Sequence, residues 1–440
     1  MNKWQDRYSE KLINLDTAVS KLEKGDKIWS GGLLSSPIMF LLEVDKNLDQ
    51  LAPFELYTGL LTHPFEFLKP QYKETVHHKS LFMGPLERKI QSKGNVEVTN
   101  FHFSNFAEVF AKVEPNTMII EVTEPDENGF MSMGACGGVG NKVALNYASK
   151  IIAVVNKFQP KITNKDNLLH IDQVNFITEG HHPIAGPKGA EPSDLEISIA
   201  EHVTPYIKDN MTIQIGIGTI SNAMGMALKG HSGLGIHTEM FTESMMELCK
   251  AGAVNSENKN YKPNKIVTAF AAGSQELIDY IDGNPQIEMG CVTDVVNANV
   301  VAKNDNFASI NTCVMVDLVG QVASEGVGHT QISGSGGQVD FVRGARMSNG
   351  GISILALAST HQGKQGLEST IRTALPAGTP VTTLRNDVQV IATEFGAADL
   401  RGLSTPERVN ALIAIAHPDF RDSLLKDAIE AGLIKTVQEA

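Results

Sequence analysis

Two segments of the sequence share one pattern, a strand followed by a glycine turn and the start of a helix. Residues 25–37 read GDKIWSGGLLSSP and residues 210–222 read NMTIQIGIGTISN, and they align without a gap at an offset of 185. Identical residues are few, but the order of apolar run, glycine, small polar residue and apolar helix is the same. Strands that alternate with helices favour mostly parallel sheets. The pattern predicts an α/β fold class with two related open α/β domains.

Further elements follow from short apolar runs between turn residues. Such runs predict strands at residues 117–122, 151–155, 212–215, 266–270, 313–316, 352–357 and 388–393. Helices are predicted at residues 240–251 and 275–281, and as a C-terminal pair that begins near residues 405 and 420. Residues 180–189 are rich in Gly and Pro and predict a linker. We therefore expect an N-terminal domain at residues 1–185 and a C-terminal domain at residues 186–440.

Composition restricts the class of protein. The chain has 440 residues, a net charge of −13 and no run of Lys and Arg, which argues against a nucleic-acid partner. No apolar run of about 18 residues predicts a transmembrane helix, and the start lacks the apolar core of a signal peptide. The four cysteines are widely spaced without a CxxC pair, which favours reduced thiols. We expect a cytoplasmic protein without a membrane partner.

The first glycine loop, Gly216 to Gly218, follows a predicted strand and precedes a predicted helix. Glycine lets the backbone approach a ligand closely, and the N–H groups at a helix start attract an anion. A dinucleotide site of the GxGxxG type is one alternative. Against it, Ser221 replaces the third glycine, and the acidic residue Glu239 follows His237 rather than an apolar strand.

The carboxylate of Glu239 is the candidate nucleophile. Its neighbours in sequence are largely apolar: Leu234, Ile236, Met240 and Phe241. A partly desolvated carboxylate is a better nucleophile, and its attack on a thioester gives a mixed anhydride and a thiolate. His237 and Glu239 have the spacing of two metal ligands, but no third ligand has suitable spacing, so no metal site is predicted.

A second glycine cluster, residues 334–341, reads GSGGQVDF. Successive glycines can direct several backbone N–H groups to one point, and such donors stabilise a developing oxyanion. The apolar residues that follow at once predict that this loop is anchored rather than flexible.

Taken together, these segments resemble the acetyl-CoA hydrolase/transferase family, a class I coenzyme A transferase group. The resemblance covers nearly the whole chain and rests on residues 235–240 (GIHTEM), 316–322 (VDLVGQV), 336–341 (GGQVDF) and 396–402 (GAADLRG). Within the family, the segments are most similar to 4-hydroxybutyrate or butyrate:acetate coenzyme A transferases.

The resemblance implies roles for particular residues. Glu239 would form a glutamyl-CoA thioester. Contacts with CoA are implied for Gln214, Ile215, Gly216, Ile217, Gly218, Val314, Gly336 and Gly337. The family fold implies an active site between the two domains, and the family also implies a homodimer, with CoA as a substrate rather than a permanently bound cofactor.

The expected activity is transfer of CoA from a short-chain acyl-CoA to a carboxylic acid by ping-pong kinetics. Three alternatives remain open on sequence alone: an acyl-CoA hydrolase, a nicotinamide dehydrogenase and a non-enzymatic CoA-binding module. Residues 135–138 depart from the family pattern beside a loop that resembles one near its acyl pocket, which leaves the acyl preference open.

Overall fold

The computed structural model describes residues 3–364 and 366–435, so the predicted domain limits at residues 1 and 440 lie outside the described residues. The chain divides into two compact units. Unit 1 comprises Met1–Lys188, Glu239–Thr242 and Ile266–Val296, and unit 2 comprises the remaining segments. The boundary after residue 185 stays a prediction.

The strands of the first 188 residues form a seven-stranded sheet and a separate pair. They are β1 (Lys27–Ser30), β2 (Phe54–Thr58), β3 (Val76–Ser80), β4 (Glu97–Val98), β5 (Thr117–Val122), β6 (Phe130–Ser132), β7 (Lys150–Val155), β8 (Leu168–His170) and β9 (Phe176–Glu179). The sheet order is β4-β3-β2-β1-β5-β7-β9, and every neighbouring pair in it is parallel. Strands β6 and β8 pair in antiparallel orientation.

Within residues 3–188, six α-helices accompany these strands: α1 (Lys3–Lys11), α2 (Leu15–Val19), α3 (Ile38–Lys46), α4 (Pro85–Ile90), α5 (Phe106–Val113) and α6 (Asn141–Ala144). Every residue of β5 is buried, because parallel sheets are covered on both faces. One core cluster joins α3 to the sheet through Phe40, Leu41, Leu56 and Ile119.

The later strands are β10 (Thr212–Ile215), β11 (Gly235–Phe241), β12 (Ile266–Ala271), β13 (Ile287–Met289), β14 (Phe307–Thr312), β15 (Met315–Asp317), β16 (Val322–Ala323), β17 (Gly326–Val327), β18 (Thr330–Gln331), β19 (Ile352–Ala356), β20 (Thr360–Gly363), β21 (Gly366–Ser369), β22 (Ile371–Arg372), β23 (Val390–Thr393) and β24 (Gly396–Asp399). Strands β11, β10, β14, β19 and β23 pair in this order, all parallel, and β24 is antiparallel to β23. Strands β12 and β13 form a parallel pair within unit 1.

The later helices are α7 (Asp194–Val203), α8 (Thr219–Ala227), α9 (Glu243–Lys250), α10 (Gln275–Ile281), α11 (Val292–Val295), α12 (Ala298–Val301), α13 (Gln338–Met347), α14 (Thr405–Ala414) and α15 (Pro418–Glu430). The start of α14 has the residues of a capping box, and the Glu407 carboxylate accepts from the Ser404 backbone N–H at 2.7 Å and from the Ser404 hydroxyl at 2.5 Å. No described helix has both the length and the apolar character needed to cross a membrane.

The duplication predicted from sequence is present in the strands. Strand β1 begins at Lys27 and β10 at Thr212, which keeps the offset of 185. The order β2-β1-β5-β7-β9 recurs as β11-β10-β14-β19-β23. The prediction of an α/β fold with two domains and mostly parallel sheets is therefore confirmed.

Several predicted elements differ from the structure by one or two residues, as where the strand predicted at residues 388–393 is β23 at Val390–Thr393, and two elements near the candidate site differ with more consequence. The strand predicted at residues 313–316 is β15 at Met315–Asp317, so Val314 lies in the connection after β14. The helix predicted at residues 240–251 is α9 at Glu243–Lys250, because Met240 and Phe241 complete β11. Two adjacent apolar residues at the end of a strand also fit the start of a helix, so the apolar pattern cannot distinguish the two.

A buried polar cluster lies in the core of unit 1 around His78 on β3. Its Nε2 lies 2.9 Å from the Thr58 hydroxyl, and its Nδ1 lies 3.2 Å from the Asn95 carbonyl. Burial lowers the pKa of His78 to about 4. Burial also raises the pKa of Glu87, whose Oε1 lies 3.9 Å from Nε2. The fold therefore favours a neutral imidazole here.

We predict that His78 makes the protein less stable in acid. The unfolded histidine takes up a proton near the ordinary histidine pKa of 6.5, and the folded one does so only near a pKa of about 4. Its contribution to the free energy of unfolding should therefore fall by up to about 3 kcal/mol as the pH drops through this range. Denaturant unfolding at several pH values should show a shallower pH dependence for His78→Gln. The exposed His361→Gln is the control, and an unchanged slope for His78→Gln would contradict the prediction.

Candidate active site

The first glycine loop leaves the sheet where β10 ends. Gln214 and Ile215 are the last residues of β10, and the Gly216 N–H donates to the Ile310 carbonyl at 2.8 Å. Gly218 has φ 108° and ψ −179°, a conformation that is essentially restricted to glycine, and α8 begins directly after it. The loop therefore has the sharp strand-to-helix turn that the sequence predicts.

The side chain of Gln214 is held inside unit 2. Its Nε2 donates to Asn311 Oδ1 at 2.9 Å, and its Oε1 accepts from Ser309 Oγ at 2.7 Å and from Asn311 Nδ2 at 3.0 Å. A Cβ on Gly216 would lie 3.2 Å from Asn311 Oδ1. Asn311 therefore supports the glycine loop, a role that sequence reasoning missed.

The second glycine cluster precedes α13. Gly336 has φ 56°, and Gly337 is the residue that caps the helix. The Gln338 side chain donates to Ser324 Oγ at 2.9 Å and to Thr383 Oγ1 at 3.1 Å, and Phe341 is buried. This loop is anchored, as the apolar residues after it predict.

The two glycine loops lie at the same edge of the sheet in unit 2. Helix α8 starts where β10 ends, and α13 must start at that same edge because it runs back before β19. Ligands of open α/β sheets bind at the carboxyl ends of the strands. Val314 follows β14 at this edge, and its N–H donates to the Ala323 carbonyl at 2.9 Å.

Glu239 is the fifth residue of β11 and belongs to unit 1. His237 and Thr238 before it are fully buried, whereas Glu239 itself is half-buried. The Thr268 hydroxyl donates to the Glu239 carbonyl at 3.1 Å and to the Phe270 carbonyl at 2.8 Å, which ties this part of β11 to β12.

His237 packs in the core of unit 2. Its ring lies 6.1 Å from the Phe307 ring and 6.4 Å from the Phe341 ring, centroid to centroid. Within the described residues, no group of three His, Cys, Asp or Glu side chains could hold a metal ion.

An apolar pocket lies in unit 1 where β1, β2 and β3 end. Its lining consists of Trp29, Gly32, Leu33, Gly59, Leu60, Leu81, Phe82, Phe103, Phe106, Cys136, Val139 and Phe270. The Cys136 thiol lies 3.8 Å from the Ala271 carbonyl on β12. One strand, β12, thus contributes Phe270 to the pocket and holds the backbone of Glu239 through Thr268.

Comparison with known proteins settles the family. The profile of the acetyl-CoA hydrolase/transferase N-terminal domain matches residues 1–185, and that of the C-terminal domain matches residues 273–428. The 4-hydroxybutyrate coenzyme A transferase of Clostridium kluyveri is 38% identical over 426 residues, which cover 96% of this chain and 98% of that protein. The chain belongs to the acetyl-CoA hydrolase/transferase family.

Other family members agree with this assignment. The butyryl-CoA:acetate CoA-transferase of Anaerostipes caccae is 34% identical over 439 residues, with 98% of each chain covered. The crystal structure of 4-hydroxybutyrate CoA-transferase from Porphyromonas gingivalis superposes with a TM-score of 0.83 at 35% identity, covering 98% of this chain and 100% of that one. The predictions of the family and of a coenzyme A transferase are confirmed.

The two main alternatives are less well supported. An acetyl-CoA hydrolase of Kluyveromyces lactis is 25% identical over 479 residues, so hydrolase relatives are more distant. Family membership over the whole chain also argues against a nicotinamide dehydrogenase built on Gly216 and Gly218 alone.

In this family member, a buried carboxylate supports the pocket. Glu121, on β5, is fully buried and bonds to His182 Nε2, Asn156 Nδ2 and Gln159 Nε2. Gln159 also donates to the Leu34 carbonyl at 2.6 Å and accepts from the Ala135 N–H at 3.1 Å. These bonds hold the two turns that carry the pocket residues Leu33 and Cys136.

The ionisation of this buried pair differs from that of free side chains. Burial raises the pKa of Glu121, although its hydrogen bonds oppose the shift. Burial alone would lower the pKa of His182, but the hydrogen bond and charge of Glu121 outweigh it and raise that pKa. The sequence did carry a signal for this cluster, since Glu121 is the one charged residue of a largely apolar strand.

Proposed function

We propose that this enzyme moves CoA from a short-chain acyl-CoA to acetate, with Glu239 as the group that carries CoA between the two acids. The observation that carries the proposal is the half-buried carboxylate at the end of a parallel strand, in a chain similar over its whole length to named CoA-transferases. Butyrate and 4-hydroxybutyrate are the candidate acyl groups, because relatives with these names are among the most similar.

The reaction needs no net proton transfer. A carboxylate oxygen of Glu239 attacks the thioester carbonyl, the C–S bond breaks, and an acyl-glutamyl anhydride and CoA thiolate form. The thiolate then attacks the glutamyl carbonyl, which releases the acyl group as a carboxylate and leaves a glutamyl-CoA thioester. Acetate attacks this thioester, and the thiolate returns to the acetyl carbonyl to give acetyl-CoA and free Glu239.

The glycine loops are the proposed binding elements for CoA. We assign contacts with CoA to the backbone of residues 214–218 and to Val314, and oxyanion stabilisation to the N–H groups of Gly336 and Gly337. The start of α8 offers N–H groups to phosphate oxygens. Contacts with remote parts of CoA can lower the barrier of the chemical step.

We also infer three properties from family resemblance: a homodimer, a cytoplasmic location and the absence of a permanently bound cofactor. None of them is needed for the chemistry assigned to Glu239.

We predict that Glu239→Gln lowers the rate of CoA transfer by at least about 10³-fold, because the amide cannot form the anhydride. Incubation with acyl-CoA alone should add the mass of CoA less one water to the wild-type peptide that contains Glu239, and not to that of Glu239→Gln. The control is Glu247→Gln, which changes a partly buried glutamate on α9 that pairs with Lys229. Transfer at the wild-type rate by Glu239→Gln would refute the proposal.

We predict that continued turnover of acyl-CoA requires acetate. With acyl-CoA and no acetate, the enzyme should release at most one acyl carboxylate per site and then stop. The glutamyl-CoA thioester accumulates because no acceptor carboxylate is present to attack it. Adding acetate should restore turnover and produce acetyl-CoA. Continuous release of free CoA without acetate, at a rate comparable to transfer, would identify a hydrolase instead.

We predict that Gly218→Ala raises the KM for acyl-CoA about 5- to 100-fold, because a side chain at φ 108° is strained by about 1–3 kcal/mol. An added Cβ would meet no atom within 4 Å, so the effect reports backbone conformation rather than a clash. Gly230→Ala, at another glycine with open space, is the matched control. Equal KM values for the two variants would argue against this role of the loop.

A further inference from the structure

The apolar pocket of unit 1 carries almost no polar side-chain atoms. Among the described residues that line it, only Trp29 and Cys136 have any. The Trp29 Nε1–H already donates to Asn141 Oδ1 at 2.8 Å. Burial raises the pKa of Cys136 to about 12, so the group stays a neutral thiol, a weak hydrogen-bonding partner.

The backbone at this pocket is strained in two places. Leu33 and Leu60 both have positive φ, 51° and 52°, which is unusual for a bulky apolar residue. Both leucines line the pocket. Strain of this kind persists only where the surrounding structure imposes it, and it is concentrated at binding sites.

Close packing of the backbone accompanies the strain. A Cβ on Gly32 would lie 2.1 Å from the Gly59 carbonyl oxygen, so the turns after β1 and β2 touch through two glycines. Each glycine immediately precedes one of the strained leucines. The two leucines that line the pocket therefore have an unfavourable backbone conformation, with positive φ.

We propose that this pocket takes the tail of the acyl group and selects an aliphatic tail without a polar end, such as butyryl, over 4-hydroxybutyryl and succinyl. The inference rests on the proposed function, in which acyl-CoA loads Glu239. The pocket is linked to that residue through β12, because Thr268 bonds to the carbonyls of both Glu239 and Phe270.

The size of the preference follows from the chemistry of the tail. Each CH₂ placed in an apolar pocket favours binding by about fourfold, so butyryl gains over acetyl. A hydroxyl in the same place loses its water without finding a partner, and apolar pockets reject such a group by about 10- to 100-fold. The second carboxylate of succinyl is charged and is rejected more strongly.

The experiment compares kcat/KM for butyryl-CoA, 4-hydroxybutyryl-CoA and succinyl-CoA at one acetate concentration. We expect butyryl-CoA to be preferred over 4-hydroxybutyryl-CoA by about 10- to 100-fold and succinyl-CoA to be slowest. Equal or better use of 4-hydroxybutyryl-CoA would overturn the inference.

A variant places a hydrogen-bonding group in the pocket. Leu60→Asn should raise the ratio of 4-hydroxybutyryl to butyryl kcat/KM by about tenfold, since the amide can bond the hydroxyl. Asparagine tolerates positive φ better than leucine, so the variant is expected to fold. Leu384→Asn makes the same change at an exposed leucine outside this pocket and should leave the ratio unchanged. An unchanged ratio for Leu60→Asn would count against the pocket as the acyl site.

The CoA adduct on Glu239 separates the two proposals. If butyryl-CoA and 4-hydroxybutyryl-CoA both form the adduct with equal efficiency, the proposed function stands and the pocket inference fails. If no acyl-CoA forms it, the proposed function fails and the inference falls with it. Adduct formation that favours butyryl-CoA supports both.

Discussion

Parallel pairing of short strands buried on both faces is the constraint on which the rest of this structure depends. Such strands tolerate few polar side chains, so the residues that bind ligands lie where the strands end. The glycine loop after β10, the cluster before α13, the glutamate near the end of β11 and the pocket beyond β1 to β3 all follow this rule. The few polar side chains that remain inside strands each require dedicated partners.

Those interior exceptions show how a polar group inside a strand is stabilised. Gln214 shares its amide with Ser309 and Asn311, Glu121 is surrounded by three donors, and His78 bonds through both ring nitrogens. A buried polar group without a hydrogen-bond partner destabilises the fold by about 1–3 kcal/mol. The hydrogen bonds of each cluster remove this penalty and also fix the position of the strands that carry them. Two of the clusters lie beside proposed binding elements, which links the packing of the core to the shape of the site.

Much of the fold was accessible from sequence because apolar runs and glycines report it directly. The bounds of β5 and β10 agree with the predictions residue for residue, and the repeat is visible in the sequence itself. Errors arose where a pattern fits two elements, as at Met240 and Phe241. Contacts between distant residues, such as Gln159 with Leu34 and Ala135, have no local signal. The strain at Leu33 and Leu60 could not be predicted either, since leucine rarely adopts that backbone.

The two compact units cannot be separated by a single cut at the linker after unit 1's first segment. Unit 1 is not continuous in sequence: beyond residue 188 it includes Glu239–Thr242 and then β12, α10, β13 and α11 from residues 266–296. A fragment cut at the Gly- and Pro-rich linker would therefore lack two strands and two helices of its own unit, together with Phe270 from its pocket wall. Gene fission at that linker would divide the segments of unit 1 between the two products, so a cut there does not yield two autonomous modules.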